Sequence, residues 1–579
     1  MQLHEMAAVT AGVLALAAPG LLLARAWLPD HPPSVRLSLG LTLGLGLMIG
    51  PGTLVIDALG LTSARWLLAG LYVAGIAAVI IARGSAVSVG SRRLELSLAA
   101  LAALVFVSRL VPALYSTLPI GTDPTFHLVL VKKILLEGGL ARDWLPFEAL
   151  GVHYTQGTHA LAAMLTLASG ASPHAVFQGL FPILAAASTL LVGGVSRQVF
   201  GDDRSAFWAA AVYGLLPIWG SLDYYRWGGL PTVLGMTLML GIVCLLLTSG
   251  PGRRLRVLLI AALLVALTGS HNHSTLITLL VIGAWIANAA VVWRGDDEAL
   301  RQAVPALLLS LPPALLLNRG SLSAVSGDGH TSLFRFYEHL LPLWDVAAYM
   351  GYAFTALAAA STWALARAAR TRAQLFLLVW ISALFVTFVA LEYLYRYGAL
   401  ALTGEFYTAL TPSRFVTVMA YPLAIACGFG VANALAWLEA RRSLPWGALA
   451  LTLAVALGAH QLRGQCVSAD VDLEALVWLG ENTPEDALIV GNHPWSSYVS
   501  WREGTHTKLP SSEDRNHPSI AFKQERLVQL GGIAEWTANT GRPVFLGQPA
   551  PMDEGQGFTL VHKTEQTYLY AWTGIPRAP

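Results

Sequence analysis

Long apolar runs punctuated by arginines make up most of the chain, and their lengths decide its class. Runs of the roughly 17–25 residues that a bilayer crossing needs fall near 6–28, 35–58, 62–83 and 95–114. After a polar interval they resume near 174–196, 205–221, 229–248, 257–271, 274–293, 302–318, 344–366, 373–391, 413–437 and 446–463. The pattern predicts a mainly α, polytopic bundle of about 13–14 transmembrane helices. From about Gln465 the apolar runs stop, and roughly 115 residues of mixed sequence follow, enough for a small domain. There the pattern predicts a helix over 472–479, a turn at Asn482-Thr483-Pro484, and strands over 487–490, 543–546, 557–562 and 567–572. Two units are expected: 1–464 in the membrane, with an outer loop at 115–173, and 465–579 as an α/β domain outside it.

Composition agrees, since 55% of the 579 residues are hydrophobic and only 12% charged, against about 25% charged in soluble domains. A net charge of +2 without a basic run leaves no nucleic-acid signature. Cys244, Cys427 and Cys466 cannot build a disulfide framework, and the first two fall in apolar runs. The run 6–28 is longer than a signal h-region and lacks a basic flank, so it is expected to stay in the protein.

Orientation comes from the arginines, which concentrate on cytoplasmic connections. Arg25 and Arg36, Arg83 with Arg92 and Arg93, Arg197 with Arg204, Arg253 to Arg256, Arg294 with Arg301, Arg367 to Arg372, and Arg441 with Arg442 fall on alternate connections. The alternation holds if the short apolar stretch 160–168 does not cross. The polar interval, the turns 222–228 and 271–273, the loops 319–343 and 392–412, and the C-terminal unit then face the other side. The expected setting is a plasma (inner) membrane with these parts extracytoplasmic.

Most of the chain's candidate chemistry lies in the polar interval Pro119 to His159. Asp123-Pro124 reads as an N-cap and first helical residue, and Gly138-Gly139 as a stop, so a helix is predicted over 124–137, lying on the membrane surface. Asp123 and His127, four apart, share one side of it. Asp123 can serve as the cap, and its carboxylate can also hold a divalent cation or take a proton.

Other outer turns add partners. Asp223 and Arg226 stand between two spans, beside aromatic residues that could equally form an interfacial belt. Arg414, in the first turn of a helix, opposes the helix dipole and makes sense if a phosphate docks there; snorkelling at the interface is the alternative. Arg396 is a second such candidate, and His271 and His273 read as polar substrate contacts or interfacial hydrogen-bonding groups. No nucleotide-binding loop, HExxH or GxSxG motif is present.

At these residues the chain resembles the GT-C superfamily of membrane glycosyltransferases. The likeness is greatest to the oligosaccharyltransferase catalytic subunit and extends to enzymes using dolichyl- or polyprenyl-phosphate sugars. Asp123-Pro124-Thr125-Phe126 followed by Leu136-Glu137-Gly138-Gly139 is similar to the family's D-P-x-F and E-x-G pattern, and Gly220-Ser221-Leu222-Asp223 to its G-S-x-D motif. Tyr154 to His159 looks like a Y-P-x-G-x-H-type segment, and Ser413-Arg414-Phe415 like the R-F pair that opens a late span.

The resemblance implies an inverting transfer of a sugar from a polyprenyl-phosphate or -diphosphate donor to an extracytoplasmic glycan, lipid or protein. Asp123 would be the catalytic carboxylate or a metal ligand, with His127 and His159 as further catalytic candidates. Asp223 would be the second ligand of a divalent Mg²⁺ or Mn²⁺, the sole cofactor expected. Arg414, Arg226, Arg396, His271 and His273 would contact lipid phosphate or sugar. Where oligosaccharyltransferases read a sequon with W-W-D-Y-G, this chain has only Pro494-Trp495-Ser496-Ser497-Tyr498. The alternative from another class is a lipid-linked-sugar transporter or a non-catalytic scaffold of the same fold.

Overall fold

The computed structural model describes residues 2–28, 31–81, 91–119, 123–152, 154–216, 229–248, 252–292, 297–318, 340–398, 411–441, 446–463, 471–490, 495–504, 530–552 and 557–574. Each apolar run folds as a helix, because only a helix satisfies its own backbone in hydrocarbon. In chain order these are α1 (Leu3–Trp27), α2 (Pro33–Leu59), α3 (Ala64–Ile81), α4 (Arg92–Leu114), α5 (Asp123–Glu137), α6 (Gly157–Ser169), α7 (Pro173–Phe200) and α8 (Asp203–Leu215). Then follow α9 (Leu230–Leu247), α10 (Arg253–Ser270), α11 (Asn272–Ala287), α12 (Asp297–Leu317), α13 (Tyr352–Ala368), α14 (Arg372–Arg396), α15 (Pro412–Arg441) and α16 (Trp446–Arg463). Among the described residues ten helices are long and apolar enough to cross a membrane. This is a multi-pass membrane protein. α6, at 13 residues, is too short to cross.

Side-chain caps mark several starts: Ser91 accepts from Leu94 N, Ser172 from Ala175 N, Asp202 from Ser205 N and Thr371 from Gln374 N. The run expected as one span over 344–366 is broken. A short helix Val346–Met350 ends at Gly351, whose φ of 86° lies in the left-handed region, and α13 starts afresh beyond it. Helices α7, α9 and α15 form the buried centre, whereas α3 and α12 keep most of their side chains exposed and present them to lipid.

The C-terminal region adds α17 (Leu473–Asn482), α18 (Ser496–Val499) and α19 (Leu530–Thr540) around a five-stranded sheet. Its strands are β3 (Leu488–Val490), β4 (Glu503–Gly504), β5 (Val544–Gln548), β6 (Phe558–Lys563) and β7 (Tyr568–Trp572), in the order β4-β3-β5-β7-β6. β3 pairs in parallel with β4 and β5, and β7 pairs antiparallel with β5 and β6. Leu488, Val544, Leu546, Phe558 and Tyr570 fill its core. Strands β1 (Asp143–Trp144) and β2 (Glu148–Gly151) form a small hairpin between α5 and α6.

Small residues set the closest helix contact. On Gly44 of α2 a Cβ would lie 2.4 Å from the Ala17 carbonyl oxygen, and on Gly20 of α1 it would lie 2.1 Å from Gly44 N. Glycine lets the two backbones touch, the usual basis of helix association in lipid. Gly44→Leu should therefore destabilise the protein by about 1–3 kcal/mol, read as a lowered thermal midpoint in detergent. Gly70→Leu on α3, where a Cβ meets nothing within 4 Å, should leave the midpoint in place.

Candidate functional site

Helix α5 is embedded, not laid on a surface: residues 124–131 are all buried, and the contacts of two adjacent lysines show what holds it. Lys133 is buried, donates to the Leu145 carbonyl at 2.6 Å, pairs with Glu137 one turn on, and reaches Asp143 at 3.5 Å. It fastens the hairpin loop beneath the helix. Lys132 points to the C-terminal unit, donating to the Tyr498 carbonyl at 2.8 Å and lying 4.9 Å above the Trp501 ring and 5.8 Å above that of Tyr498. Trp501 also meets Phe147 edge to face at 4.9 Å, and its φ of 57° makes it the sole non-glycine in the left-handed region among the described residues. Such a backbone costs about 1–3 kcal/mol and persists where packing fixes it. Burial, with Arg502 nearby, pushes the Lys132 ammonium down to about 8, against the two rings that favour its charge.

One turn beyond the start of α5 at Asp123 sits His127. Its Nδ1 lies 2.9 Å from His159 Nε2, so one ring donates and the other accepts. Phe126, Tyr154 and Phe177 stand with ring centroids 5.3, 5.7 and 6.1 Å from His127 and shield it from water. Burial, and then the neighbouring His127, hold His159 well below the ordinary histidine range, so its imidazole is neutral at pH 7.

The start of α6 is pinned from two directions. Gln156 exchanges hydrogen bonds with the Ala141 backbone, at 2.9 Å for Ala141 N and 2.8 Å for its carbonyl. Gly157 lies so near the end of α10 that a Cβ there would stand 2.6 Å from the Gly269 carbonyl oxygen. That approach lets the Thr155 and Thr158 hydroxyls donate to the Ser270 carbonyl at 3.4 Å and brings His159 up to the turn between α10 and α11. His271 caps α11 there. Its Nδ1 accepts from Ser274 N at 3.3 Å, which leaves the proton on Nε2, 3.4 Å from Thr232 Oγ1 at the start of α9. His273 lies 6.1 Å from the His271 ring and 5.5 Å from Phe415, and both Arg414 and His127 lie within electrostatic reach of His271.

Five expected site residues thus converge: His127, His159, His271, His273 and Arg414. Arg396 does not join them, because its guanidinium is held by Glu392 one turn back, at 2.9 Å from Nε and 2.5 Å from Nη2. The Asp123 side chain, Asp223 and Arg226 lie outside the described residues. Among the described residues no three His, Cys, Asp or Glu side chains gather to hold a metal. Thr232, Ser270 and Ser274 carry no sequence signal for joining the cluster. Lys132 and Trp501 are equally unmarked as a clamp between the units.

No protein-family model matches the chain, and no curated protein matches it by sequence. Solved structures do match. The oligosaccharyltransferase of Archaeoglobus fulgidus, captured with a tethered acceptor peptide containing the NVT sequon, is 14% identical over 83% of this chain and 74% of its own, with a TM-score of 0.57. ArnT from Cupriavidus metallidurans, bound to undecaprenyl phosphate, is 14% identical over 84% of this chain and 98% of its own, at 0.51. The arabinofuranosyltransferase AftD from Mycobacteria is 16% identical over 84% of this chain and 42% of its own, at 0.50. This chain shares its fold with these three proteins.

The Lys132 contact generates a pH test. Its folded value of about 8 lies below the ordinary 10.5, so between them the unfolded chain binds the proton more tightly and stability rises with pH. Thermal midpoints of the parent should climb across that window relative to those of Lys132→Met, which cannot titrate.

Proposed function

We propose that this protein transfers a sugar from a polyprenyl-phosphate or -diphosphate donor to an acceptor on the face away from its arginine-bearing loops. The observation that carries this reading is the convergence of Arg414, in the first turn of a 30-residue helix, with four buried histidines. A guanidinium at the positive end of a helix dipole suits a phosphate. ArnT, of the same fold, binds undecaprenyl phosphate, which supports a lipid phosphate as the occupant here.

In this reading the acceptor oxygen attacks the anomeric carbon from the face opposite the phosphate. A new C–O bond forms as the bond to the phosphate breaks, and the configuration inverts. The acceptor proton passes to the Asp123 carboxylate. The charge that develops on the leaving phosphate meets Arg414 and the dipole of α15. His127 and the neutral His159, mutually hydrogen-bonded, orient groups beside Asp123, and the Nε2–H of His271, with His273, faces the donor head group. A divalent cation belongs with Asp123 and Asp223 if one is used. Among the described residues no group of three His, Cys, Asp or Glu side chains offers it a site. Sequon recognition does not follow from this reading, because the W-W-D-Y-G residues are missing.

The test is release of label from radiolabelled polyprenyl-phosphate sugars by the purified full chain, in the presence of cell-envelope acceptors. Asp123→Asn should lower transfer by about 10²–10⁴-fold, and Arg414→Gln by about 10²–10³-fold. Transfer by Asp123→Asn at the parental rate would overturn the catalytic assignment. Lipid-sugar translocation that survives Asp123→Asn, with no transfer by any variant, would favour the transporter. Stimulation by Mn²⁺ in the parent but not in Asp223→Ala would assign the cation.

A further inference from the structure

Far from the candidate active site, a cavity of about 510 Å³ opens among the start of α4, the start of α8, the end of α15 and the start of α16. Helix α15 runs between the two places. Arg414 lies in its first turn and Glu439 in its last, about 37 Å apart along an ideal axis. The cavity lining combines the apolar Leu94, Phe207, Trp208 and Leu451 with four charged groups, Arg93, Asp203, Arg204 and Glu439. Helices α4 and α16, which border it, carry exposed leucines, Leu96 at 62% and Leu449 at 60%. Charged helix ends beside lipid-facing apolar helices lie at headgroup depth.

The four charges are two of each sign, and they are not equally occupied. Arg204 Nη1 meets Glu439 Oε2 at 3.2 Å, and Arg197 Nε, from the end of α7, meets Asp203 Oδ1 at 3.1 Å. The Arg93 guanidinium has neither an ion pair nor a hydrogen bond among the described residues. It stands in the first turn of α4, where a cation opposes the helix dipole, and an anion docked there would offset both. The carboxylates keep room for a cation as well, since an ionised carboxylate offers about four lone-pair sites and the pairs occupy few of them. Glu439 turns Oε1 toward Gly447: a Cβ on Gly447 would stand 3.8 Å from that oxygen and 3.8 Å from Trp208 Cζ2. Glycine there keeps the space between carboxylate and indole open.

We infer that this cavity binds a zwitterionic phospholipid whose head group ends in a primary ammonium. The phosphate lies against the Arg93 guanidinium and the start of α4, and the ammonium donates to the Glu439 and Asp203 carboxylates. The apolar part of the lining takes the glycerol and the first carbons of the acyl chains, which a detached head group would leave uncovered. Two cations and two carboxylates carry no net charge, so an anionic head group drawn by Arg93 is repelled by the carboxylates. A quaternary ammonium has the required charge but no N–H to donate.

The purified full chain, in phosphatidylcholine nanodiscs doped with either phosphatidylethanolamine or phosphatidylglycerol, would be released into native mass spectrometry and the retained lipid counted. Phosphatidylethanolamine should be retained over the other two. Glu439→Gln should weaken that retention by about tenfold, and Arg93→Gln by a similar factor. Gly447→Leu fills the cavity and should remove the lipid. Its thermal midpoint should hold, because leucine suits a helix better than glycine and the added Cβ meets only ordinary contacts. Preferred retention of phosphatidylglycerol, or equal retention of all three lipids, would overturn the assignment. If Gly447→Leu and Glu439→Gln, both folded, hold phosphatidylethanolamine as the parent does, the site is refuted. The readout needs no transfer activity, so it stands apart from the proposed reaction.

Discussion

A polar group withdrawn from water inside a membrane protein must find its partner within the protein, and the lysine pair of α5 shows how that constraint builds the polar end of this molecule. Lys133, turned inward, is satisfied by the Leu145 carbonyl, Glu137 and Asp143. Lys132, turned the other way, is satisfied by the Tyr498 carbonyl and two aromatic faces. One lysine fixes the hairpin between α5 and α6, and its neighbour fixes the C-terminal region. The helix that carries His127 is thereby held from both sides. The strained Trp501 backbone fits the same logic, because Lys132 and Phe147 together fix where that ring must stand.

The histidines then share one environment. Crowded by Phe126, Tyr154 and Phe177, the His127–His159 pair sits where charge is poorly solvated, and His271 is locked into one tautomer by Ser274. The neutral imidazole of His159 orients dipoles without adding charge of its own. Arg414 adds a cation to the cluster.

Much of the fold was legible in the sequence, because a run of about twenty apolar residues has few alternatives to a span. The strands 543–546, 557–562 and 567–572 reappear shifted by at most two residues as β5, β6 and β7. The break at Gly351 was not legible, since glycine inside a membrane helix is ordinary and only the left-handed φ reveals the interruption. The histidines and the arginine that come together could be named from the sequence, but not all of their pairings. His127 and His159 are 32 positions apart and meet where α5 packs on α6, a pairing that no local rule gives. Arg396 could have been paired with Glu392 from their four-residue spacing alone. A local rule outweighed the suggestion of a phosphate.

His271 caps a transmembrane helix, a task for which serine, threonine, aspartate or asparagine is the usual choice. Any of those would accept from Ser274 N and end the helix as well, but none carries a second ring nitrogen on the far side that can donate to Thr232 while the first is occupied. Capping alone therefore underdetermines the residue. An exchange to asparagine would separate two duties that the imidazole combines: keeping the helix start intact while withdrawing a directed proton from the cluster.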